Sequence, residues 1–287
     1  MNRTDRKEPA MADTGLYIAM LGIDGTGKTT MTKMLSRELE AHGHDVKRLS
    51  WRKELDEAER PNTRESLRQL WVESLRLVHL GVDGPAAPGS YDEFHAQGWE
   101  KRYGSAAHTT NVPAGPLAAA WLEWVGQILL RHEIVEPHRA RGVHVIDESF
   151  SLKMAFKELV IAERLSTDPA LTKEIERARE TLVELFRACD PDVGIVVTGP
   201  IDQAFQWRMR QEGSLGSLED MGAATGDRGQ DGFLELQSAC DAFFRECAEK
   251  WGWIVLEMED TSAEENFAKL RAQLLDHPAA GRLLKTT

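Results

Sequence analysis

Gly22-Ile23-Asp24-Gly25-Thr26-Gly27-Lys28-Thr29 is the stretch on which the fold turns. It fits the spacing G-x4-G-K-[ST]. In that pattern glycines let backbone N–H groups turn inward around phosphate, the lysine reaches the outer phosphates, and the threonine hydroxyl can ligand Mg²⁺. Asp24, Gly25, Thr26, Gly27, Lys28, Thr29 and Thr30 are therefore the expected phosphate-binding residues. Upstream, Leu16–Leu21 is a short apolar run of the kind shown by buried parallel strands. Downstream, Lys28–His42 carries Met31, Met34, Leu35 and Leu39 at helical spacing and stops at Gly43. A strand leading in and a helix leading out are the context this loop requires, and the helix adds the positive end of its dipole. A chance Gly-rich turn is the other reading, and it has no reason to sit at that junction.

Outward from the loop, strands and helices alternate. Val46–Trp51 reads as a second strand and Arg64–Leu80 as a second helix. Leu117–Arg141 reads as a helix bent or ended by Pro137, followed by the strand Val143–Ile146. Helical patterns follow Ser149 and cover Leu171–Cys189, then come the strand Val193–Thr198 and the helix Ile201–Gln211. A helix to Lys250, the strand Trp253–Glu257 and a helix from Ala263 complete the order. This pattern predicts an α/β fold, a doubly wound parallel sheet of the P-loop NTPase kind. One domain is expected over 15–277, between tails at 1–14 and 278–287. Residues 81–116, rich in Gly and Pro, read as an insertion, and 211–232, Gly-rich and acidic, as a mobile lid loop.

The chain has 287 residues and a formal charge of −12. An acidic balance opposes general nucleic-acid binding, but a nucleotide needs only a local cluster of donors. No apolar run has the length of a membrane span and the first residues are too polar for a signal peptide, so a cytoplasmic location is expected. Cys189, Cys240 and Cys247 have no CxxC spacing and read as reduced core thiols. None of the four asparagines precedes a lysine, so a guanine-reading NKxD motif is absent.

Tyr17–Thr30, YIAMLGIDGTGKTT, resembles the opening of thymidylate kinases, which carry an acidic residue where Asp24 stands. Ile134-Val135-Glu136-Pro137 through Gly142 to Val145-Ile146-Asp147, the pair Ala155-Phe156, and Pro191-Asp192-Val193 through Arg208 and Arg210 fall in that family's order. The resemblance implies a nucleoside monophosphate kinase-like fold, ATP as donor with Mg²⁺, and a nucleotide acceptor such as thymidine monophosphate. It places Asp24 on the acceptor sugar and makes Arg208, Arg210 and Arg228 candidates for the lid arginine that stabilises the moving phosphoryl group beside Lys28. Ordinary surface or loop ion pairs are the other reading of those arginines. Asp147, ending a strand, is expected to order Mg²⁺ through water, beside Thr29, or to hold the acceptor hydroxyl, with a helix N-cap as the alternative.

The acceptor side departs from the family's pattern. Glu148 stands where the resemblance expects an arginine that holds the acceptor's phosphate. Gln127 stands where it expects a base-reading arginine, with Arg131 one turn on. Arg52 or Lys53 can replace a lost cation, and Trp51, Trp121 and Trp124 can stack on the acceptor or simply pack the core. Two carboxylates at 147 and 148 suit a general base for a hydroxyl acceptor, a nucleoside, sugar or other metabolite, and repel a phosphate. One charge about 4 Å from a phosphate costs on the order of 4 kcal/mol at an effective dielectric near 20. An ATP-binding regulatory module without catalysis is the rival of another class. ATP and a small-molecule acceptor are the expected partners, with no nucleic acid and no membrane, and a homodimer is left open.

Overall fold

The computed structural model describes residues 14–81, 86–104, 109–226 and 228–285. Strand β1 (Tyr17–Gly22) runs into the glycine loop and helix α1 (Lys28–Ala41). Then follow β2 (Val46–Leu49), α2 (Trp51–Glu57), α3 (Pro61–Val78), α4 (Tyr91–Ala96), α5 (Trp99–Tyr103) and α6 (Ala114–Leu130). A π-helical turn (Arg131–Val135) joins α6 to α7 (Glu136–Ala140), and the chain continues through β3 (His144–Asp147), α8 (Leu152–Leu165) and α9 (Pro169–Ala188). Beyond lie β4 (Val193–Thr198), α10 (Ile201–Glu212), α11 (Gly222–Thr225), α12 (Gln230–Trp251), β5 (Ile254–Glu257) and α13 (Ala263–Asp276).

All five strands are parallel, in the order β2-β3-β1-β4-β5. The chain leaves β1 toward one edge and later crosses to β4 on the other side, so the glycine loop emerges where the winding reverses. Open parallel sheets place ligands at that crevice. Alternation along β1 divides the core in two. Tyr17, Ala19 and Leu21 face the layer built from α2, α3, α6, α8, α9 and α12. Ile18 and Met20 face α1 and α13. This is the doubly wound sheet expected.

Several local readings change. Trp51 is not strand: the Ser50 hydroxyl accepts the Lys53 N–H at 3.3 Å and starts α2 there. Pro137 neither ends nor breaks its helix. It has no N–H to give and its ring crowds the carbonyl four residues back, and the π turn just before it absorbs the mismatch. The insertion is ordered where described, with Phe94, Trp99 and Tyr103 buried. Residues 211–232, read as a mobile loop, pack down where described, because Leu218, Asp220, Met221 and Ala223 are buried. The stretch set aside as a C-terminal tail adds Ala280 and Leu284 to the second core layer. The N-terminal tail call falls, up to residue 13, outside the described residues. The three cysteines are free and buried. Among the described residues, no helix is long and apolar enough to cross a membrane.

One buried polar cluster stands out between α3, α6 and α8. The Ser74 hydroxyl faces both Glu158 (3.0 Å) and Glu123 (3.3 Å). One hydroxyl hydrogen cannot serve two carboxylates, and burial pushes the Glu123 carboxyl up to about 8. Burial, with Glu123 beside it, raises Glu158 well above the ordinary range. The folded state therefore holds these protons more tightly than the unfolded chain. The stability they contribute is complete below the unfolded value near pH 4.5 and is lost as pH rises through about 8. Denaturant titrations at pH 5.5 and 8.0 are expected to show lower stability at the higher pH, and Glu123→Gln to reduce that difference. An unchanged pH difference in the variant would reject a shared-proton pair.

Candidate active site

The glycine loop is fixed by close approaches. At Gly22, with φ 146°, an added Cβ would stand 2.0 Å from the Val197 carbonyl oxygen. At Gly25, with φ 82°, it would stand 2.1 Å from that of Ala204. No side chain fits at either place. The Thr26 hydroxyl donates to the Ile23 carbonyl at 2.9 Å and braces the loop. Lys28 opens α1 and donates to the same carbonyl, while Thr29 and Thr30 stand exposed on the first turn.

Of the loop's residues, Asp24 faces a cleft of about 750 Å³. Asp24, Arg52, Trp71, Lys153, Lys157 and Arg208 line it, with residues 214–219 along one side. Asp24 is its node. Lys153 and Lys157, one turn apart on α8, donate to its two carboxylate oxygens. Gln237 of α12 donates to Oδ2 at 3.1 Å and accepts the Asp24 N–H at 3.0 Å. Burial would raise the Asp24 carboxyl, but Lys153, Lys157 and Lys28 outweigh it and hold it well below the usual carboxylate range. Burial and the neighbouring Lys153 press the Lys28 ammonium well down. The same groups reach the 214–219 segment: Lys157 donates to the Leu218 carbonyl at 2.7 Å and Gln237 to that of Glu219 at 2.9 Å.

Of the three lid candidates, Arg208 alone lines this cleft. Its guanidinium grips Glu219 through two parallel bonds of 2.7 and 2.6 Å. Arg210 is exposed and donates to the Gln206 carbonyl of its own helix at 3.4 Å. Arg228 is spent on structure. It ties the Ser217 carbonyl (3.0 Å), Asp220 (3.1 Å) and the Tyr103 carbonyl (3.0 Å) together, so its catalytic assignment does not fit.

The expected acceptor residues are only partly brought together. Asp24 and Arg52 line the cleft, Arg52 paired with Glu100. Trp51 does not: its ring lies against α6, where a Cβ at Gly126 would stand 2.0 Å away, and edge-on to Trp71. Trp71 takes the cleft wall instead, donating to Glu100 at 2.8 Å. Trp124 packs edge-on to Phe186 in the core. Trp121 lies on a shallow surface cavity beside α9, away from the loop. Gln127 is fully buried and bridges the Tyr17 hydroxyl and the Ser151 N–H, both at 3.3 Å. Arg131 stacks over the Tyr17 ring at 4.8 Å and pairs with Glu136 at 2.7 Å. Tyr17 begins β1, so Arg131 lies at the end of the strands opposite the loop.

Both strand-end carboxylates are engaged. Asp147 accepts the Tyr17 hydroxyl at 2.9 Å and the Ser149 N–H at 3.0 Å, and burial pushes its carboxyl up to about 6. Glu148 is clamped by Arg48 of β2 and by Lys53 at 2.9 Å. These two cations outnumber it, so the repulsion expected between Glu148 and a phosphate is cancelled. Lys153, Lys157, Gln237 and Trp71 were missed in the sequence. The available signal was Lys153 and Lys157 four apart, directly after a strand end, on a helix face otherwise apolar.

For Mg²⁺, the exposed Thr29 hydroxyl at the first turn of α1 is a hard oxygen donor of the right kind. Asp147 is buried with both oxygens bonded, which leaves it a role only through water.

No family model matches the chain. A stretch of 36 residues is 50% identical to the thymidylate kinase of Ruegeria pomeroyi. That match covers 12% of this chain and spans only 17% of the relative's length. Among solved structures, the thymidylate kinase of Candida albicans superposes with a TM-score of 0.54 at 12% identity, covering 95% of this chain and 94% of that one. At that identity the likeness is one of fold.

Proposed function

We propose that this chain is an ATP-dependent phosphotransferase that moves the γ-phosphoryl group of ATP to a nucleoside monophosphate, with thymidine monophosphate as the first candidate. The observation that carries the reading is a cleft beside the glycine loop in which every described carboxylate is paired with a cation. Asp24 is held by two lysines, Glu219 and the half-exposed Glu212 share Arg208, and Glu100 is held by Arg52. Asp147 and Glu148 are likewise bonded. None is a free general base. A hydroxyl acceptor needs one, whereas a phosphate monoester, with a second pKa of about 6, arrives as a nucleophilic anion near pH 7. The two similar proteins, both thymidylate kinases, support the choice of acceptor.

In this reading the loop and Lys28 cradle the β- and γ-phosphates, and Arg208 turns from Glu219 to the charge on the moving group. Thr29 offers its hydroxyl to a Mg²⁺ that, when bound, neutralises the same phosphates. Thr29→Ala is expected to shift the Mg²⁺ dependence of turnover to higher concentration, and an unaltered metal titration would remove Thr29 from that role. ADP release screened across nucleoside monophosphates, nucleosides and sugars tests the function. Turnover that appears with a monophosphate supports it. Turnover only with unphosphorylated acceptors favours the hydroxyl reading, and ATP binding without turnover favours a regulatory module.

A further inference from the structure

The charge around Asp24 does not balance. Lys28, Lys153 and Lys157 bring three ammonium groups to one carboxylate, and all three side chains are buried. Glu219 and the half-exposed Glu212 lie in the same cleft and share Arg208. Among the buried groups, the three lysines and Asp24, two positive charges are left in surroundings largely withdrawn from water, where an uncompensated charge is expensive. One matches the donor's outer phosphates, which Lys28 serves from the first turn of α1. The second belongs to α8, whose Lys153 and Lys157 line the cleft.

Resting on the phosphotransferase reading, we propose that Lys153 and Lys157 form the subsite that holds the acceptor's own phosphate. The two side chains rise from one helix face four residues apart, and their Nζ atoms meet on the two oxygens of Asp24. They present paired donors to a second anion beside that carboxylate. Lys157 is also anchored on the Leu218 carbonyl, which fixes its position. Among the described residues Lys153 Nζ bonds Asp24 alone, and it is the adaptable member. The step then balances without a base. An oxygen of the acceptor's phosphate forms a bond to Pγ, the bond from Pγ to the bridging oxygen breaks, and ADP leaves with that electron pair. No proton need move. In this reading the cations for the acceptor come from α8, and Arg48 and Lys53 pair with Glu148.

The test uses the full chain and its Lys153→Gln, Lys157→Gln and Lys153→Arg variants. Steady-state ADP release with thymidine monophosphate, binding of a fluorescent ATP analogue, and protection from thermal unfolding by thymidine monophosphate alone are measured together. Lys153→Gln is expected to raise KM for the monophosphate about tenfold to a hundredfold, the worth of a charge-assisted bond, with ATP binding unchanged. Lys153→Arg should restore most of the loss, which a merely structural lysine would not require. Protection of wild type by the monophosphate, lost in Lys153→Gln and kept in Lys153→Arg, supports the subsite even if no turnover is found. Unchanged KM and protection in both Gln variants, or a loss of ATP-analogue affinity instead, would overturn it while leaving the phosphotransferase reading intact.

Discussion

Replacing Arg208 by alanine is expected to lower kcat by about a thousandfold or more while changing KM for ATP only a few-fold. The size follows from what the side chain can do. A guanidinium aimed at the equatorial oxygens of a phosphoryl group in transfer acts on charge that is greatest at the transition state. Arg208 is placed for that by α10, and Glu219 holds it ready with two bonds of 2.6 and 2.7 Å. The comparison variants sharpen the result. Arg210→Ala should leave turnover near normal, since that side chain is exposed and bonded to its own helix. Arg228→Ala should lower thermal stability first, because it unties three partners between residues 103 and 220. Near-normal turnover in Arg208→Ala would show that no described lid arginine drives the reaction.

Lys28→Ala is expected to abolish measurable phosphotransfer, a loss of about a hundredfold to a thousandfold at the least, because the cation on the outer phosphates is gone. Its effect on the fold should run the other way. Lys28 is buried close to Lys153 and Lys157, and its ammonium is pressed well down by burial and by Lys153. Removing it relieves like-charge repulsion, so the melting temperature should hold or rise. Strain tolerated for function has this signature. Circular dichroism and thermal unfolding give the stability, and ADP release gives the rate. An active Lys28→Ala enzyme would remove the phosphate cradle from the account.

The frame of this molecule could be read directly because it rests on short-range patterns. The apolar run before Gly22, the helical spacing after Lys28 and the later strands at Val193 and Trp253 each declare themselves within a dozen residues. The site could not be read so directly, because its geometry is set by side chains far apart in sequence. Glu148 looked like a charge facing an incoming phosphate until β2 brought Arg48 beside it and α2 brought Lys53. Trp124 and Gln127 lie on α6 and Arg131 opens the π turn that continues it, and nothing local says which face meets the cleft. In the structure they turn to Phe186, Tyr17 and Glu136 instead. Arg228 carried the right chemistry for a lid, yet its reach is fixed by Ser217, Asp220 and Tyr103. Lys153 and Lys157 were hidden by their ordinariness, two lysines on a helix whose partner lies about 130 residues upstream.

The central claim is that the γ-phosphoryl group of ATP passes to a phosphorylated acceptor without a general base. It is tested most directly by following label from γ-labelled ATP in the presence of Mg²⁺ and either thymidine monophosphate or thymidine. The account predicts label in thymidine diphosphate, with little label in thymidine monophosphate when thymidine is offered. Label appearing on thymidine, or only as free phosphate whichever acceptor is present, would contradict it.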